Sequence, residues 1–238
     1  MKALKSKAYT IGTFKNKEFQ KKAKFDPINT SALQLTTKNR NQLTYPPPKH
    51  QEDDKNRLIE VIKTYPLATL ISVADGLPLI THLPLIYERG RLIGHIDKMN
   101  PQTHLLKDQI DVTVLFSGPE CYISPSIFSS THLPTWNYIK VHLKGKVTAI
   151  DDQAALKASL ISMTEALEAP DHKYVLDANN PRMDQNLKYI QLFEIHIESW
   201  EGKFKLSQDK APKDIRHARE ALLRSQQLSI ENFLDKVF

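Results

Sequence analysis

The stretch from Leu115 to Gly145, LFSGPECYISPSIFSSTHLPTWNYIKVHLKG, constrains the fold more than any other part of the chain. It opens as the end of a strand, and Gly118-Pro119 reads as a break. Cys121–Ser124 is a short segment that Pro125 stops, because proline fixes φ and has no N–H to donate. Leu133-Pro134-Thr135-Trp136-Asn137-Tyr138 then leads into a second strand over Ile139–Ile150. With three prolines, a tryptophan, two tyrosines and little charge, the stretch is no ordinary solvated linker. Two readings follow from the residues alone. It is the wall of a pocket for a planar ligand, or a packed loop that closes a barrel.

The rest of the pattern sets that stretch among antiparallel strands. Asp53 or Asp54 caps a helix whose expected buried face is Leu58, Ile59, Ile62 and Tyr65. Leu67–Val73 is a buried strand, Asp75-Gly76 a hairpin turn, Leu79–Tyr87 the return strand, and Arg89-Gly90 turns into Arg91–Ile96. Asn100-Pro101 starts a short helix that ends near Lys107. In Ile110–Phe116 the apolar residues alternate with polar ones, as in a half-buried strand. Gly145 marks a bulge. Asp151-Asp152 opens a helix with Leu156, Leu160, Met163 and Leu167 on its inner face. A short helix near Met183–Tyr189 precedes the last strand, in which Phe193, Ile195 and Ile197 point inward. Lys213–Gln226 and Ile230–Val237 are expected to be helical. Many antiparallel strands with a few helices predict an α+β, barrel-like fold.

Composition narrows the function classes. The 238 residues hold one cysteine, Cys121, so no internal disulfide forms and a reducing cytoplasm is expected. No apolar run approaches the length needed to cross a bilayer, so no membrane partner is expected. No CxxC, HExxH or Cys/His cluster is present, and no metal site is expected. GxGxxG, P-loop and nucleophile-elbow patterns are also missing, and no Ser/His/Asp or paired-carboxylate set can be assembled from spacing. The net charge is +6, yet residues 1–43 carry ten Lys/Arg against two Asp/Glu. From Thr44 onward 23 basic residues meet 25 acidic ones, so the basic excess belongs to the N-terminal extension. That extension, 1–44, is expected to be partly disordered or draped over the body. The body divides into a main domain over 45–212 and a helical segment over 213–238.

Three short strings carry polar chemistry. Gly94–Pro101, GHIDKMNP, ends a strand, turns past one lysine and opens a helix, which suits an anion. Thr81-His82-Leu83 sits within a strand. Gly202–Gln208, GKFKLSQ, alternates two lysines on an extended segment beside Trp200, either as a solvated strand end or as a cationic wall.

The strings YPLATLIS, THLPL, GHIDKMNPQ, SGPECYISPS, LPTWNYIKVHLKG and EGKFKLSQD, in this order, resemble the PaiB-type FMN-binding split-barrel proteins, a group labelled negative transcriptional regulators. The resemblance runs from Tyr45 to the C-terminal helix. It implies a six-stranded antiparallel split β-barrel that forms a homodimer, with FMN at the subunit interface, as in the pyridoxamine-phosphate-oxidase-like class. By motif position it places Thr81, His82 and Leu83 beside the flavin on the second strand, and His95 and Ile96 at the end of the third. Lys98, Met99 and Asn100 would approach the phosphate, Lys98 standing where the family commonly has arginine. Trp136 and Asn137 would reach from one subunit to the other's flavin, and Lys203, Lys205 and Ser207 would border the same cleft. Thr103 departs from an aromatic residue in the family pattern, and Ile127-Phe128 from Trp-Tyr. The label implies regulation. A flavin-dependent oxidoreductase and a barrel that has lost its flavin are the alternatives, and no residue signature decides enzyme status. No helix-turn-helix is recognisable.

Any nucleic-acid binding is therefore expected to reside in residues 1–43, without sequence preference and strongly weakened by salt. Deleting those residues should abolish DNA binding in a filter or anisotropy assay. Undiminished affinity after the deletion would assign the activity to the body instead.

Overall fold

The computed structural model describes residues 45–107 and 109–226. The basic extension and the expected helix over Ile230–Val237 lie outside the described residues. The strands are β1 (Gln51–Glu52), β2 (Leu67–Ala74), β3 (Leu77–Glu88), β4 (Arg91–Asp97), β5 (Ile110–Ile123), β6 (Thr135–Ile150) and β7 (Ile190–Lys205). The helices are α1 (Lys55–Thr64), α2 (Gln153–Glu168), α3 (Pro181–Asn186) and α4 (Pro212–Ser225).

Neighbouring strands follow the order β1-β7-β4-β3-β2-β5-β6, and β6 also pairs with β7. That last pairing closes β2–β7 into a six-stranded antiparallel ring, with β1 added outside β7. The meander β2–β3–β4 turns through Asp75-Gly76 (φ 52° and 76°) and Arg89-Gly90 (φ 47° and 88°). Positive φ at both central residues is what a tight hairpin between right-twisted strands requires.

Alternation along the strands fills the ring. Ala68 and Leu70 of β2, Leu83 and Leu85 of β3, Leu92 and Ile96 of β4, and Val112, Val114 and Phe116 of β5 form one buried cluster. Val141, Leu143 and Val147 of β6 join it, with Phe193 and Ile195 of β7. Helix α1, capped by the Asp54 side chain on Asn56 N, sends Leu58, Val61 and Ile62 into the same cluster and plugs the ring. Tyr65 follows the helix as its C-cap and is exposed, so Val61 takes the place expected for it.

The outside of the ring is covered in part. Helix α2, capped by Asp152, lays Leu156 and Leu160 with Met183 of α3 over Ile93 of β4 and Leu192 of β7. Ala155 and Ile161 complete that contact, and Leu167 is exposed, so the stripe expected to continue to the helix end stops short. Helix α4 packs Ala218 against Cys121 and Ile123 at the end of β5. The outward side chains of β2 and β3 stay open, with Val73 and Ile80 exposed.

Three expectations need correction. Gly118-Pro119 does not break the strand. β5 runs through it with a register shift between Ser117 and Glu120, because a bulge tolerates a residue that cannot donate. The turn after Asn100 is a 3-10 helix over Pro101–Leu105, with the Asn100 side chain accepting from Gln102 N. Gly202–Lys205 continues β7 rather than following it.

Under α2, His95 Nε2 lies 2.7 Å from Ser159 Oγ, whose own proton goes to the Leu156 carbonyl. The ring therefore donates to that hydroxyl through Nε2. Burial pushes its pKa down to about 4. In the unfolded chain the ring takes up a proton near its ordinary 6.5. Its contribution is therefore complete above that value and is lost as pH falls toward 4. The loss should amount to about 2–4 kcal/mol. Denaturant unfolding at pH 7 and pH 4 should show a smaller fall in stability for His95→Gln than for the natural chain. Equal falls would remove His95 as the source.

Candidate functional site

The thirteen residues that the motifs single out divide into two groups. The first lies on β3, β4 and the turn that follows. Thr81 Oγ1 accepts from Asn100 Nδ2 at 3.0 Å, which ties β3 to the start of the 3-10 turn. His82 points outward and its Nδ1 lies 3.0 Å from Thr69 Oγ1 on the paired strand. Leu83 and Ile96 are buried inside the ring, and His95 lies under α2. Only the backbone of these last residues is left for the outer face of β3 and β4.

The turn itself faces two ways. Asp97 Oδ1 accepts from Met99 N, which leaves the Met99 side chain 85% exposed. Lys98 N donates to the Tyr189 carbonyl, and the Lys98 side chain lines a cavity of about 280 Å³ beside Asp151, Asp152 and Lys188. Two carboxylates beside that lysine disfavour an anion on the α2 side.

The second group joins the strings TWNY and KFKLSQ. Lys205 Nζ donates to Thr135 Oγ1 at 2.5 Å, and Ser207 Oγ donates to Asn137 Oδ1 at 3.0 Å. Asn137 and Ser207 are both buried, so this pair is a latch between β6 and the end of β7. Ser207 takes φ 62° in making it. Trp136 points out of the ring, half exposed, with its ring 6.4 Å from that of Tyr122 in an edge-to-face contact. Lys203 is buried, donates to the Tyr45 hydroxyl and lies 5.3 Å from the centre of the Tyr138 ring. Burial works against its charge. The Tyr138 and Tyr45 hydroxyls outweigh burial, so its pKa ends above the ordinary lysine value.

Sequence reasoning missed several contributors. Tyr45 reads as punctuation before three prolines, yet it covers Lys203. Gln208 Nε2 donates to the Lys49 carbonyl at 2.7 Å and holds the Pro48–His50 turn against β7. Asp214 of α4 is buried and accepts from Ser129 N at 2.8 Å and Ser129 Oγ at 3.1 Å. The Ser129 amide holds the Asp214 carboxyl below the usual range. His217 Nδ1 donates to the Ile127 carbonyl at 2.7 Å. Together they pin the segment that runs from Pro125 to Pro134. An acidic residue two positions into an expected helix was the one available signal.

In the ring order, β3 and β6 stand three strands apart, on opposite sides. One chain therefore joins Thr81 to Asn100 on one side of β3, sets His82 on the other, and keeps both away from Trp136, Lys203 and Lys205. No helix among the described residues is long and apolar enough to cross a membrane, and no His/Cys/Asp/Glu cluster among them has metal-binding geometry.

The outer surface suits a planar cofactor. Ile80 and Ile71 offer an apolar plane on paired strands, and Thr69 and His82 a polar edge. Comparison with known proteins agrees. A family model described as "Putative FMN-binding domain" matches residues 44–199. The chain is 31% identical over 159 residues to the protease synthase and sporulation protein PAI 2 of Bacillus subtilis, covering 65% of this chain and 77% of that protein. Among solved structures, an FAD and heme binding protein from Mycobacterium smegmatis superposes with a TM-score of 0.57 at 21% identity, over 70% of this chain and 79% of the other. A flavocytochrome from Azotobacter vinelandii superposes with a TM-score of 0.52 at 17% identity, over 65% of this chain and 68% of the other. The ordered motifs, the closed six-stranded ring and the family match agree, and the chain belongs to the PaiB-type FMN-binding split-barrel family, whose cofactor is FMN.

Proposed function

We propose that the chain works as a homodimer that holds FMN between its subunits and serves a regulatory role. The observation that carries the dimer is the division of the site. The outer face of β2 and β3 is apolar and uncovered, and the aromatic half of the site lies on the far side of the same ring. A second copy on that face would bury Val73 and Ile80 and bring its own Trp136 to the first copy's His82.

In this arrangement His82 meets the edge of the flavin ring through its side-chain nitrogen, Thr81 holds the Asn100 side chain, and Leu83 and Ile96 contribute only backbone. Met99 and Asn100 place the phosphate at the turn, with Lys98 as its cation. Trp136 covers the ring, and Asn137 and Ser207 hold the strand that presents it. Lys203 stands at the far edge of the ring, and Lys205 turns to Thr135 instead. Bound FMN supplies hydride and electron transfer. Regulation is supported by the Bacillus relative, which is named for protease synthesis and sporulation. One observation favours a second reading, an oxidoreductase acting on a small substrate. Lys203 is a buried ammonium kept charged by hydroxyls, which suits a ring that accumulates negative charge.

Two measurements test the proposal. Ile80→Glu should turn a dimer into a monomer in sedimentation at micromolar concentration. A natural chain that sediments as a monomer would sink the dimer. Lys98→Ala should weaken FMN binding by about 1–3 kcal/mol in isothermal titration, the range for a lost charge-assisted hydrogen bond. Riboflavin, which has no phosphate, should bind that variant and the natural chain alike. Equal loss for both ligands would move the phosphate away from Lys98.

A further inference from the structure

A cavity of about 500 Å³ opens where the ends of β6 and β7 meet the Pro48–His50 turn. We propose that it binds a small organic carboxylate with an apolar body, at a place separate from the flavin phosphate. The proposal stands on this cavity alone and does not require the flavin reading.

Charge is the first ground. Lys49, Lys205 and Lys210 line the cavity with one carboxylate, Asp209. Asp209 is already engaged by Lys49 at 2.7 Å and lies 3.6 Å from Lys210. Lys205 gives one of its three protons to a neutral hydroxyl, that of Thr135, so its charge is unanswered there. A concave wall with a surplus of positive charge concentrates anions. The buried His50 ring in the same wall feels that surplus. Its pKa is lowered by burial first, then by Lys49 and Lys205.

Shape is the second ground. The volume falls within the roughly 300–1,000 Å³ of small-molecule sites. Phe128 and Leu133 add apolar surface to the same lining. A bare inorganic ion would leave that surface without a partner, and the Asp209 carboxylate disfavours a dianion. A monocarboxylate carrying a ring or short hydrocarbon meets both the lysines and that surface.

Rigidity is the third. One wall is pinned by Asp214 on Ser129 and by His217 on Ile127, the other by Gln208 on the Lys49 carbonyl. A site that is already formed loses little on ligand ordering.

Benzoate is the probe, and benzyl alcohol its uncharged counterpart. Calorimetric titration of the full chain, before and after FMN loading, should give saturable one-to-one binding of benzoate in both states and none of the alcohol. Lys205→Gln should weaken benzoate roughly tenfold or more, as expected for a lost charge-assisted contact. Lys205→Arg should retain most of the affinity. Lys210→Gln should weaken it measurably. Lys146→Gln should change nothing, since Lys146 is already held by Asp111 at 2.6 Å. Absent benzoate binding, equal binding of the alcohol, or insensitivity to both Lys205→Gln and Lys210→Gln would overturn the proposal. Competition between FMN and benzoate would also overturn it, by making the cavity the flavin's own phosphate site. A chain that takes up no FMN but binds benzoate as described would refute the flavin reading and leave this one intact.

Discussion

The antiparallel pairing of β6 with β7, from Tyr138 opposite Lys205 to Ile150 opposite Leu192, is the constraint on which the rest of the molecule depends. It turns an open sheet into a ring, and only a ring gives one inside for the apolar residues of six strands. It also has to bend. The register shifts between Lys144 and Gly145, and a side chain at Gly145 would meet the His196 carbonyl oxygen at 2.2 Å. No residue with a Cβ fits there without moving a backbone that is itself hydrogen-bonded. The one glycine thus lets two long strands curve together, and the core cluster and the TWNY–KFKLSQ junction both follow from that closure.

Much of this was legible locally. Asp75-Gly76 and Arg89-Gly90 announce their turns, Asn100 and Asp152 announce their caps, and Gly145 announces its bulge, because each signal is set by the residue's own backbone or nearest N–H. Gly118-Pro119 misled for the same reason. A proline removes one donor, and whether that ends a strand depends on the partner strand, which local pattern does not show. The outer limit of the α2 stripe was likewise set by what the helix meets. Leu167 keeps the helical spacing and has no core to enter.

The site was legible as a set of strings and not as contacts. Asn137 and Ser207 lie 70 positions apart, and no spacing rule pairs an amide in a strand with a hydroxyl beyond another strand. Tyr45 and Lys203 are farther apart still, at 158. Cofactor-binding strings mix residues that touch a ligand with residues that hold the others in place. The side chains of Leu83, Ile96 and Asn137 are buried, and that of His95 is bonded to Ser159. The structure sorts side chains by burial and partner where the strings alone could not.

The same sorting explains why one chain carries two separate polar regions. Barrel closure fixes β3 and β6 on opposite sides, so a ligand that uses both must be shared between two copies. Residues that line a cavity within one copy need no second chain. Lys205 stands at that boundary, with its ammonium on Thr135 and its surroundings shaped by Gln208 and the Pro48–His50 turn. The last turn of β7 therefore serves two purposes through one geometry. It ties β6 to β7 through Ser207, and it leaves Lys205 lining the cavity beside the Pro48–His50 turn.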